Sequence, residues 1–169
     1  LSTISTLTGA TEDTAFSITY TTLAAAADEA DVDSSSISFR IESVTTGTLT
    51  RNGTNVVAGS TLISSGDTVA WTPASNANGT LNAFTVKAYD SFLASSTAVQ
   101  VKVTVTAVND APTLTTISAI SGVNEDTAFS IGFTTVSNAS NLSDVDSSPY
   151  FRLASVNSGT LKKGGNSVT

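Results

Sequence analysis

Internal repetition constrains this chain more than any other feature. Thr11-Glu12-Asp13-Thr14-Ala15-Phe16-Ser17-Ile18 returns as Asn124-Glu125-Asp126-Thr127-Ala128-Phe129-Ser130-Ile131, a step of 113 residues. Asp31-Val32-Asp33-Ser34-Ser35 returns at the same step as Asp144-Val145-Asp146-Ser147-Ser148. Phe39-Arg40 and Gly47-Thr48-Leu49 return as Phe151-Arg152 and Gly159-Thr160-Leu161, now 112 residues on, so one residue is lost after the second Asp pair. The joint lies at Val108-Asn109-Asp110-Ala111-Pro112, where proline forbids a paired central strand from continuing. The spacing predicts a complete repeat over 1–108, a linker over 109–113 and the N-terminal half of a second repeat over 114–169. Half a sandwich cannot bury its own face. A cut chain, part of a longer chain, and an assembly in which a neighbour completes the fold each accommodate it.

Within the first copy, hydrophobic period two dominates. Phe16, Ile18 and Tyr20 alternate with polar residues, as do Ile37, Phe39 and Ile41, then Phe84, Val86 and Ala88, then Val99, Val101, Val103 and Val105. Residues 3–8 predict a short opening strand that Gly9 ends. Asn52-Gly53 signals a two-residue hairpin after Gly47-Thr48-Leu49, with Asn55-Val56-Val57 returning. Leu62-Ile63 is a short apolar piece, and Thr68–Thr72 is a strand carrying Trp71. The Ala-rich stretch from Leu23 to Ala30 predicts one helical turn, with irregular loop as the alternative. About seven strands in about 110 residues predict an all-β fold, a tandem of Greek-key β-sandwiches.

The chemistry available to such a chain is narrow. There is no Cys and no His, which removes disulfides, thiol nucleophiles, zinc-thiolate sites, Ser-His-Asp triads and imidazole ligands. A net charge of −7 excludes a basic nucleic-acid footprint and argues against an anionic membrane surface. No run of about eighteen apolar residues predicts membrane insertion. The missing Met and signal peptide fit an internal piece of a larger secreted protein.

What remains is oxygen. The carboxylates cluster in predicted loops and strand ends. If the sandwich termini lie at opposite ends, Asn109, Asp110, Asp144, Asp146 and Glu12 converge on the joint, and several carboxylates with an amide oxygen suit Ca²⁺. The competing explanation is that each Asp-x-Asp is a turn whose first Asp caps backbone amides. For Asp90 it is plain solvation at a strand end. Trp71 reads as core packing, with a sugar platform as the alternative. Asn52-Gly53-Thr54, Asn78-Gly79-Thr80, Asn138-Ala139-Ser140 and Asn141-Leu142-Ser143 are glycosylation sequons that such a composition also produces by chance. The local i, i+2 carboxylate pairs imply no cleft with an opposing acid, so a glycosidase is rejected and no enzyme is expected.

Five motifs carry a family resemblance: Asn109-Asp110-Ala111-Pro112, Glu12-Asp13-Thr14, Asp31-Val32-Asp33, Gly47-Thr48-Leu49 and Thr72-Pro73-Ala74-Ser75-Asn76-Ala77-Asn78-Gly79-Thr80. Together with Phe84–Asp90 and Ala98–Val105, they resemble the cadherin-like tandem repeats of giant bacterial surface adhesins, including the VCBS type. The resemblance implies a cadherin/Ig-like sandwich. It casts Glu12 as the basal glutamate, Asn109 and Asp110 as linker ligands, and Asp144 and Asp146 as the pair from the following repeat. By the same resemblance Asp31, Asp33 and Asp90 serve a joint to a preceding repeat, and Glu125-Asp126 a following one. Ala107 stands where the animal cadherin linker has Asp, and the Asp-Arg-Glu motif has no match, which reduces the expectation to one or two ions per joint. The expected function is a calcium-rigidified stalk module of a secreted or cell-surface protein, partnered by neighbouring repeats. Homo-assembly by strand complementation is a variant. The alternative is a calcium-dependent carbohydrate-binding module, which needs exposed aromatics beside the metal.

Overall fold

The structure, a computed structural model, describes residues 1–34 and 36–168. The chain divides into two units, Leu1–Val108 and Asn109–Thr169. The first is mostly β: β1 (Leu7–Thr11), β2 (Phe16–Thr19), α1 (Tyr20–Ala26), β3 (Ser38–Val44), β4 (Thr48–Arg51), β5 (Thr54–Asn55), β6 (Leu62–Ile63), β7 (Thr68–Thr72), β8 (Gly79–Tyr89) and β9 (Val99–Thr106). They form a five-stranded sheet in the order β1-β9-β8-β3-β6 and a four-stranded sheet in the order β2-β7-β4-β5. Both sheets turn apolar faces onto one core, an arrangement consistent with a β-sandwich. Phe39, Ile41, Phe84, Val86, Val101 and Val103 come from the first sheet, and Ile18, Leu49, Val69 and Trp71 from the second.

Strand alternation places these residues. Along β9, Val101, Val103 and Val105 are buried while Lys102 and Thr106 are exposed, because successive side chains point to opposite faces. Trp71 is fully buried, and its indole Nε1–H donates to the Thr46 carbonyl at 2.8 Å. The ring therefore enters the core without an orphaned donor.

Two elements differ from expectation. The helix begins at Tyr20 rather than Leu23, because the Thr19 hydroxyl accepts the Thr22 amide and caps it. Leu23 anchors it in the core. The opening strand does not stop at Gly9. It runs on to Thr11, parallel to β9, with an irregularity between Leu7 and Ala10. Gly9 adopts φ +100° there, a conformation that only glycine takes without strain.

The second unit contains α2 (Phe133–Ala139) and the hairpin β10 (Lys162–Lys163) and β11 (Asn166–Ser167). Residues 129–132 and 150–156 lie outside strands. Among the described residues, every buried side chain belongs to the first unit.

Candidate functional site

Eight of the 14 acidic residues fall into three groups, each within a single unit. In the first unit, β1 leads directly into Glu12, which is 1 % exposed. Its Oε1 accepts the Val108 amide at 2.5 Å and its Oε2 accepts Asn78 Nδ2 at 3.1 Å. Its own amide donates to the Thr106 carbonyl. The neighbouring Asp13 Oδ1 accepts the Asn76 amide at 3.0 Å. The Glu12-Asp13 pair thus clasps the exit of β9 and the loop before β8. A buried carboxylate is tolerable because both oxygens carry hydrogen bonds. Asn76 and Asn78 are the partners that residue patterning missed. Their signal was the Asn-x-Asn-Gly loop itself.

At Asp31, Asp33 and Asp90 the loop after α1 and the end of β8 meet. The three line a cavity of about 250 Å³ together with Leu1, Tyr89 and Leu93. Asp31 Oδ1 accepts the amides of Asp33 and Ser34 at 2.9 and 2.7 Å. Asp90 Oδ1 accepts those of Phe92 and Leu93 at 2.7 and 2.6 Å. The Leu93 and Phe92 amides hold the Asp90 carboxyl below its ordinary range, since a carboxylate accepting N–H bonds favours its charged form. Around this cavity Tyr89 is half-buried, with the Arg40 guanidinium 5.6 Å from its ring centroid.

In the second unit, Asp144 Oδ1 accepts the amides of Asp146 and Ser147 at 3.0 and 2.6 Å. The Ser147 amide is the main cause lowering the Asp144 carboxyl's pKa. Asp146 Oδ2 accepts the Asp110 amide at 2.8 Å, and Asn109 Nδ2 donates to the Asp110 carbonyl at 2.8 Å. Asn109, Asp110, Asp144 and Asp146 are therefore joined by hydrogen bonds, while Glu12 belongs to the first unit.

The turn explanation of Asp-x-Asp holds for both leading aspartates: Asp31 and Asp144 cap amides two and three residues ahead. Capping does not exhaust a carboxylate, which offers about four lone-pair sites. The donor chemistry fits a hard cation. The grouping is looser: among the described residues, no three His, Cys, Asp or Glu side chains are gathered closely enough to hold a metal ion. No helix among the described residues is long and apolar enough to cross a membrane.

No family model matches the chain, and no curated protein or solved structure is significantly similar to it. The class is that of a β-rich chain with acidic loops.

Proposed function

We propose that the chain is a structural module of a secreted or cell-surface bacterial protein. In this reading it is a tandem of Greek-key, cadherin-like β-sandwich repeats whose acidic loops take Ca²⁺ and stiffen a stalk. The observation that carries the reading is the recurrence of one acidic loop. Asp31 and Asp144 cap the same relative amides, and the second loop also receives the linker amide of Asp110. A linker tied to an Asp pair that a cation can neutralise is a joint that a cation can stiffen. Asn109, Asp110, Asp144, Asp146 and Glu12 are the candidate ligands at this joint, and Asp31, Asp33 and Asp90 at a preceding one.

The carbohydrate-binding alternative needs an exposed aromatic platform beside the acids. Trp71 lies in the core and the half-buried Tyr89 is covered by Arg40, which leaves Phe92, 87 % exposed beside Asp90, as the ring on which this alternative rests.

Thermal unfolding in calcium and in chelator tests the proposal. With a Kd of about 10⁻⁴ M and millimolar calcium, one site adds about 1.4 kcal/mol. The expected result is a rise of a few degrees in calcium, reduced by Asp144→Asn and, independently, by Asp90→Asn. Identical melting in both buffers overturns the cation-stiffened joint.

A further inference from the structure

The second unit repeats the apolar positions of the first without their cover. Ile18 is fully buried and its counterpart Ile131 is 51 % exposed; Ile41 is fully buried and its counterpart Leu153 is 47 % exposed. Phe39 is buried whereas Phe151 is half-exposed, and the same holds for Leu49 and Leu161. Ile131, Phe151, Leu153 and Leu161, with Leu114 and Ile120, line an open apolar groove of about 570 Å³.

The backbone is uncovered in the same places. In the first unit β2 pairs with β7 and β3 with β8, placing Ile18 opposite Val69 and Ile41 opposite Val86. The counterparts of β2 and β3, residues 129–132 and 150–156, are not in strands. An extended hairpin covers both, supplying ladder hydrogen bonds as well as apolar side chains, which neither a small apolar molecule nor a helix does.

The first copy displays one that fits. The β8–β9 segment, Gly79–Thr106, carries Phe84, Val86, Val101 and Val103 on one face. Its charged residues are Lys87, Lys102 and Asp90, a net charge of +1. The second unit holds Arg152, Lys162 and Lys163 against Asp110, Glu125, Asp126, Asp144 and Asp146, a net charge of −2. Opposite net charge favours their encounter.

We infer that the apolar groove of residues 114–161 is an acceptor for a β-hairpin of the Gly79–Thr106 type. This deepens the tandem-repeat reading by naming the partner of the second copy, and it does not require calcium.

The test uses the whole chain and a labelled peptide with the sequence of residues 79–106, in chelator. Saturable one-to-one binding by anisotropy is expected, with at least a tenfold loss in Leu153→Asp and in Ile131→Asp and none with a scrambled peptide. Unchanged melting of the first unit in both variants shows that its fold is intact. Absence of saturable binding, or binding indifferent to both substitutions, overturns the inference. So does a chain that self-associates through this groove, with Leu153→Asp dissolving the dimer, while ignoring the peptide. Because calcium is absent throughout, failure here leaves the cation-stiffened joint standing, and failure of the calcium test leaves the acceptor groove standing.

Discussion

Asp28 and Asn141 occupy equivalent places in the two copies and perform the same task. Asp28 Oδ1 accepts the amides of Ser2 and Thr3 at 2.7 and 2.9 Å; Asn141 Oδ1 accepts those of Thr115 and Thr116 at 3.1 and 3.0 Å. Only the aspartate titrates. The Ser2 hydroxyl, followed by the Thr3 and Ser2 amides, holds the Asp28 carboxyl well below its ordinary 3.8. A depressed folded-state pKa stabilises the protein above the unfolded value, and that contribution is lost as pH falls toward the folded one. Stability is therefore expected to decline as pH drops below about 4, with Asp90 contributing in the same direction. Asp28→Asn should flatten the decline, since the amide oxygen can still accept both N–H groups. Acid titration of the melting temperature checks this, and identical slopes would refute the assignment. Gly47 gives a sharper case. It sits at φ +67°, and a Cβ would lie 2.1 Å from the Thr72 carbonyl oxygen. Gly47→Ala is expected to lose at least about 2 kcal/mol in denaturant unfolding.

Elements separate by whether their bonds are local. α1 and α2 recur 113 residues apart, as do the Asp31 and Asp144 turns, and the hairpins β4–β5 and β10–β11 recur 112 residues apart. Each closes its hydrogen bonds within a few residues, so each forms in both copies. β1, β2 and β3 depend on β9, β7 and β8, forty or more residues away in sequence, and their counterparts in the second unit are not strands. Val99–Val105, the Asn52-Gly53 hairpin and the Trp71 strand were legible because period two and turn chemistry are local signals. The run of β1 beyond Gly9 was not, because its reason is a parallel partner at the far end of the repeat. The Glu12 clasp likewise joins positions 12, 78 and 108. Glu12→Ala removes the acceptor of two groups at once, the Val108 amide and the Asn78 side chain, and is expected to cost about 2–3 kcal/mol. Chemical denaturation measures it, and a loss under about 0.5 kcal/mol would show that water replaces the carboxylate.

At the scale of the whole molecule, the two units should differ in resistance. The first holds the buried side chains and the second, among the described residues, holds none. Sparse burial and backbone without ladder bonds mark a region of low local stability. Limited proteolysis is expected to cut within residues 109–168 first and leave a fragment close to Leu1–Val108. Mass spectrometry of the early products reads this directly. Equal loss of both units would mean that residues 109–168 are as well covered as the first copy. The peptide corresponding to β8–β9 should slow cleavage of the second unit selectively, linking this measurement to the acceptor groove.

The amino-acid sequence by itself determined the mostly-β character, the repeat at steps of 113 and 112 residues, the Asn109-Asp110 stretch between its copies, the exclusion of thiol and imidazole chemistry, and the acidic loops. Each is written in residue type, period or spacing. Tertiary structure alone decided how the acids are used. It closed Glu12 onto Val108 and Asn78 and tied Asp146 to the Asp110 amide. It also left Ile131 and Leu153 exposed where Ile18 and Ile41 are sealed. The physical reason is range: a turn or an alternating strand is specified by its neighbours, whereas a carboxylate's partners and an apolar residue's cover come from segments distant in sequence.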